Sequence, residues 1–155
     1  MAKSRTLAYL RVSTDEQDIE NQRLEIESYA EIKGFEIDEW ITVEISSRKN
    51  YRERKIEELI NGLKRGDRLI VSELSRLARS MREIHNLIYE IAKKKVELHI
   101  IKQNLITKDS EDMATNIYIN SFAMAAEIER DLISQRTKNG IALQGRRVSR
   151  SEIQI

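Results

Sequence analysis

A chain of 155 residues, 40% hydrophobic and 34% charged, has room for one domain around one core. Having no cysteine, it excludes a disulfide framework, a thiol nucleophile and cysteine-ligated zinc or iron–sulfur, and it fits a reducing cytoplasm. The net charge of +1 does not by itself announce nucleic acid, no apolar run approaches the roughly 20 residues of a membrane span, and MAKSRTLAYL turns polar too early for a signal peptide.

Leu7–Val12 reads as a strand. Glu16–Lys33 reads as a helix, with Ile19, Leu24, Ile26, Tyr29 and Ala30 as its apolar positions and Gly34 as its stop. A second strand falls near Glu39–Glu44. Arg52–Lys64 carries Ile56, Leu59, Ile60 and Leu63 at helical spacing and stops near Gly66. Arg68–Ser72 is a third strand, Met81–Lys95 a helix, Val96–Ile101 a fourth strand and Asp112–Asn139 one long helix. Alternating strands and helices predict an α/β, three-layer domain with a mostly parallel sheet of four to five strands. Residues 1–110 would be the core, 111–139 the long helix and 140–155 a basic arm or linker. No proline punctuates the chain, so glycine and polar clusters alone mark the turns.

The strand LAYLRVS sets Tyr9, Arg11 and Ser13 in a row on one face, opposite Ala8, Leu10 and Val12. That row ends at the carboxyl edge of the sheet, where open α/β sheets place their sites. Ser13 with Glu16, or Thr14 with Gln17, has capping-box spacing, so a helix cap is one reading of the serine. Capping leaves Arg11 unexplained, because a guanidinium flanking a core is costly unless it meets an anion. In VSELSRLARSMRE, Arg76, Arg79 and Arg82 recur every third residue and would line one face of a starting helix. Cations there oppose the macrodipole, which favours a bound anion over a merely solvated face. A third basic group, Arg48, Lys49, Arg52 and Arg54, follows the second strand. A serine among arginines suits attack on a phosphodiester, since the cations neutralise the phosphate and ease formation of the alkoxide. His85 and His99 sit in no matching motif, there is no Walker-type glycine loop, and the carboxylates show no metal-ligand spacing.

YLRVSTDEQDIENQ resembles the N-terminal signature of the serine recombinases, the resolvase/invertase family. ELSRLARS resembles that family's second arginine motif, EIERDLISQRTKNG the start of its long dimer helix, and GRR the arm beyond it. The resemblance runs from about Leu7 to Arg147. It implies a site-specific recombinase whose serine attacks a DNA phosphate, becomes joined to a 5′-phosphate and frees a 3′-hydroxyl. It implies no cofactor, metal or ATP. By position Ser13 would be the nucleophile and Arg11, Arg76 and Arg79 the phosphate clamps. Tyr9, Gln17 and Gln22 would support them, and Glu44 stands where the family has an acidic residue. Glu129 and Arg130 match the family's Glu-Arg pair. Ser75 departs from the pattern, which has aspartate before the arginine matched by Arg76. The family's loop arginine falls on Arg52 in preference to Arg54 or Arg48. Its helix lysine aligns nearest Gly62, with Lys64 or Lys55 as substitutes.

In the long helix the apolar residues Met113, Ile117, Ile119, Phe122, Met124, Ala126, Ile128, Leu132 and Ile133 spread wider than one core-facing stripe. That breadth predicts packing on its own core and then on a second subunit, with Met113, Ile117, Phe122, Met124, Ile128 and Glu129 at the interface. A helix buried wholly in its own domain is the other reading. The resemblance implies a homodimer, and a tetramer during strand exchange. Arg136 and Lys138 suit phosphates of double-stranded DNA, and Arg146, Arg147 and Arg150 a minor-groove arm. A disordered basic tail would have the same composition. Family members normally continue into a DNA-binding domain, often helix-turn-helix, for which 140–155 leave no room. Two other classes of function compete: a catalytically silent dimerisation or DNA-binding module, and an α/β domain that binds a phosphorylated ligand.

Overall fold

The computed structural model describes residues 3–44 and 49–153, with side chains for 3–44 and 53–141. Its elements are β1 (Thr6–Val12), α1 (Glu16–Lys33), β2 (Glu39–Glu44), α2 (Lys49–Gly62), β3 (Arg68–Val71), α3 (Leu74–Leu77), α4 (Met81–Lys93), β4 (Glu97–Ile100), β5 (Leu105–Thr107) and α5 (Met113–Ile153). The sheet runs β2-β1-β3-β4-β5, parallel except for β5, which is antiparallel to β4.

Strand alternation decides which helix covers which face. Ala8 and Leu10 of β1, with Ile70 of β3, pack on Ile26 and Ala30 of α1. Leu7 and Tyr9, with Leu69, Val71 and Leu98, face Ile84, Ile88 and Ile91 of α4 and Ile119 of α5. Ile88 is wholly buried, and each such side chain contributes about 1.5–3 kcal/mol relative to exposure. From β1 the chain crosses toward β2, and from β3 it crosses toward β4. The connections leaving the carboxyl ends of β1 and β3 therefore run in opposite directions, which makes a topological switch point where a crevice is expected.

The local stops are physical. Asp15 caps α1 by accepting from the backbone N–H groups of Gln17 and Asp18, and Gly34 closes it at φ 75°. Neither Ser13 nor Thr14 is the cap. Helix α2 begins and ends earlier than its apolar spacing predicts. Two elements escaped prediction, the one-turn α3 and the three-residue β5. Helix α5 corrects the expectation of a linker after residue 139: it continues through Gly140 to Ile153. Each of its two glycines, Gly140 and Gly145, costs only about 1 kcal/mol among good helix formers such as Ala142, Leu143 and Gln144. At 41 residues α5 spans about 60 Å.

Candidate active site

The carboxyl edge of β1 is tied down by a side chain acting as a strand partner. Gln22 of α1, only 3% exposed, accepts from the Arg11 backbone N–H at 3.1 Å and donates to the Arg11 carbonyl at 2.9 Å. The amide thus satisfies both backbone groups where the β-ladder with β3 has ended at Tyr9. Beyond it the Arg11 side chain crosses to the β3 side, where Nη1 donates to the Ser75 carbonyl at 2.6 Å.

Tyr9, Arg11, Val43, Glu44, Arg76, Leu77, Ala78 and Arg79 line one small crevice. The fold therefore brings together Tyr9, Arg11, Glu44, Arg76 and Arg79 from three strand ends. Burial, with repulsion from Arg76 and Arg79, pushes the Arg11 guanidinium below its ordinary value. It stays charged at neutral pH, and its Nε is buried without a hydrogen-bond partner. This repulsion of Arg11 by its neighbours is what an entering anion relieves.

Arg76 is held by two carboxylates. Its Nη2 meets Asp18 Oδ1 at 2.7 Å, and Asp18 Oδ2 accepts from Gln22 Nε2 at 3.0 Å. Its Nε lies 3.2 Å from Glu73 Oε1, an ion pair rather than a hydrogen bond because the N–H is poorly aimed. Arg76, Arg79 and Arg82 do not share a helix face. Ala78 is extended at φ −158°, so Arg76 belongs to α3, Arg79 to the link and Arg82 to α4.

Ser13 is half-buried at the strand end and is not among the crevice-lining residues. Its Oγ accepts from the Asp15 backbone N–H at 3.2 Å. Gln17 is exposed and its amide donates to Asn21 Oδ1 at 3.0 Å, so it points along its own helix and away from the crevice. The side chains of Arg52, Arg146, Arg147 and Arg150, and all of Arg48, lie outside the described residues. Arg54 and Lys64 are exposed, and Lys55 pairs with Glu58 at 3.6 Å.

On α5, Met113, Ile117, Met124 and Ile128 are exposed, together with Leu132, Ile133 and Ile141. Phe122 differs: it packs partly on the domain's own core. Glu129 also turns inward, accepting from the Met81 backbone N–H at 3.4 Å. Arg130 is exposed and shares a surface hollow with Arg82, while Arg136 and Lys138 are exposed further along the helix.

The model of the resolvase N-terminal domain matches residues 6–147, nearly the whole chain. The chain belongs to the resolvase family of serine recombinases. It is 36% identical to the transposon Tn2501 resolvase of Escherichia coli, over 90% of this chain and 70% of that one. It is 35% identical to the serine recombinase PinR of Escherichia coli K12, over 89% and 69%. Its fold is shared with a resolvase family site-specific recombinase from Streptococcus pneumoniae, at TM-score 0.68 and 23% identity, covering 93% of this chain and 99% of that one. The protein is a serine site-specific recombinase, and the family implies a DNA substrate and an oligomeric assembly. Among the described residues no helix is long and apolar enough to cross a membrane.

Sequence reasoning passed over three residues that surround the crevice arginines: Asp18, Glu73 and Lys102. Glu73 carried a signal, since it stands three residues before Arg76 in SELSRLARS. Asp18 and Lys102 carried none, being brought to the site only by the pairing of β1 with β3 and of β3 with β4.

Proposed function

We propose that this recombinase cuts and rejoins duplex DNA through a 5′-phosphoserine at Ser13. The single observation that carries the reading is the convergence of Arg11, Arg76 and Arg79 in one crevice beside the strand end that bears Ser13. Ser13 Oγ attacks the scissile phosphorus and loses its proton, while the 3′-oxygen leaves and gains one. Attack of a 3′-hydroxyl on the phosphoserine then reforms the diester and frees the serine. One phosphoester replaces another at each step, so neither ATP nor metal is required.

Arg11, Arg76 and Arg79 neutralise the phosphate and the charge that develops on it in flight. Tyr9 and Gln22 hold the strand end, Glu44 balances charge at the crevice rim, and Gln17 and Arg52 join once DNA and the partner subunits are in place. Residues 1–110 act as the catalytic core. The exposed apolar residues of α5 pair two subunits into a dimer, and two dimers form the tetramer in which strands exchange. Arg130, Arg136 and Lys138, then Arg146, Arg147 and Arg150, follow the DNA backbone and minor groove from α5. The chain works in the cytoplasm. Ser13, resting on Asp15 outside the crevice, moves in on assembly.

The test joins the whole chain to a DNA-binding domain of known specificity and supplies duplex carrying that domain's sites. Trapped complexes are digested and the DNA-linked peptide is mapped, in chelator. A 5′-phosphoserine at Ser13, absent from Ser13→Ala, is the expected result. A folded fusion that binds its sites and forms no adduct would instead mark a silent module.

A further inference from the structure

We propose that Glu73 is the positioning residue of the arginine clamp, orienting Arg76 directly and Arg11 through Ser75. The inference rests on the Ser13 chemistry above. Glu73 occupies the N-cap position of α3 with extended backbone, yet its side chain makes no cap hydrogen bond. Capping is what a residue there ordinarily offers. The carboxylate turns away to three other groups. Oε1 accepts from Ser75 Oγ at 2.7 Å and lies 3.2 Å from Arg76 Nε, while Oε2 meets Lys102 Nζ at 3.0 Å.

Each contact has a consequence in the crevice. The ion pair draws the Nε side of Arg76 toward Glu73, while its Nη2 is held by Asp18. The Ser75 contact fixes a residue whose carbonyl accepts from Arg11 Nη1 at 2.6 Å. Two of the crevice's arginines are therefore referred to one carboxylate. Lys102, from the turn after β4, neutralises Glu73, so the carboxylate can orient Arg76 without cancelling the charge meant for phosphate. The hydrogen bonds from Ser75 and Lys102 hold Glu73 below the usual carboxylate range, so it stays ionised through the neutral region. Glu73 does not line the crevice, which is why its role is orientation rather than contact with DNA.

The test uses the same whole-chain fusion in single-turnover cleavage of DNA with a known central site. Glu73→Gln is expected to slow adduct formation about 100-fold, the scale of one misplaced transition-state donor, with DNA affinity within about twofold. Glu73→Asp recovers part of the rate. The decisive reading is the cycle with Arg76→Ala: adding Glu73→Gln to Arg76→Ala should cost far less than about 100-fold, because only the path through Ser75 to Arg11 is left for Glu73 to orient. Ser75→Ala, which removes one exposed hydroxyl, gives a loss in the same direction without threatening the fold, and it should not add to Glu73→Gln. Full additivity with Arg76→Ala overturns the inference, as does an adduct rate for Glu73→Gln and Ser75→Ala within threefold of wild type. An absence of any adduct from the wild-type fusion would remove the Ser13 reading itself and this inference with it.

Discussion

The two ends of β1 each place an arginine against the sheet, and the arginines are treated in opposite ways. At the amino end Arg5 meets Asp67, a carboxylate only 2% exposed. Asp67 accepts from Arg5 Nη2 at 2.9 Å, the Arg5 backbone N–H at 3.1 Å and the Lys64 backbone N–H at 2.8 Å. Burial alone would raise its pKa, but these donors outweigh burial and hold it below the usual range. At the carboxyl end Arg11 lies among cations, is pushed below its ordinary value and keeps a buried Nε unpaired. One end closes its electrostatics and thereby serves stability. The other leaves Arg11 repelled by Arg76 and Arg79 with a buried Nε unsatisfied, which folding alone does not explain and an incoming phosphate does.

The sharpest way to break that contrast is to remove the charge at each end and ask which property suffers. Arg11→Met should slow adduct formation by about 10²–10³-fold, the cost of one well-placed donor to the developing charge. Its melting temperature should stay within a few degrees of wild type. The lost Nη1 hydrogen bond costs about 1 kcal/mol, and relief of burial and repulsion offsets it. A large fall in stability with little change in rate would show that Arg11 is a structural ion like Arg5.

Asp67→Asn is expected to do the reverse. The pair is buried on the aspartate side but more than a third exposed at Arg5, so the loss is discounted to about 2 kcal/mol, or some 4–8 °C. Cleavage at a temperature where both proteins are folded should be unaffected. The pH dependence carries its own sign. Because the folded pKa of Asp67 lies below the unfolded one, its contribution is complete above the ordinary aspartate value and disappears as pH falls through the lowered folded value. Melting curves of wild type and variant should therefore run apart at neutral pH and converge in strong acid. A gap that persists in strong acid would place the effect in packing instead of charge.

How much of this was readable beforehand follows from how far apart the partners stand in the chain. The row Tyr9, Arg11, Ser13 is a period-two pattern, and α1 with its glycine stop is a local one, so both could be read directly. The break at Ala78 could not be, because SRLARSMRE has no proline or glycine and would continue as helix in isolation. The pairing of Arg76 with Asp18 spans 58 residues and that of Arg5 with Asp67 spans 62, and nothing local announces either. Exposed Met124 and buried Ile119 look alike within the apolar spread of α5. Only packing against α4 separates the face that serves the core from the face left for a partner.

The smallest effect tests the cationic excess without any DNA. Sulfate is a tetrahedral oxyanion like the phosphate of a diester, with two negative charges in place of one, and a cationic crevice should bind it weakly. At about five times its dissociation constant, binding adds roughly 1 kcal/mol, a rise of about 2–4 °C in melting temperature for a domain of this size. Sulfate also stabilises proteins in general by exclusion from their surfaces, so the bare shift proves nothing. The useful quantity is the difference between wild type and Arg11→Met at equal sulfate, each referred to chloride at matched ionic strength. Exclusion acts equally on both, whereas occupancy of the crevice needs Arg11. A wild-type gain larger by a few degrees would place the anion among Arg11, Arg76 and Arg79. Equal gains would mean that Asp18, Glu73 and Glu44 already satisfy those arginines, and the carboxyl end of β1 would then be as closed as the amino end.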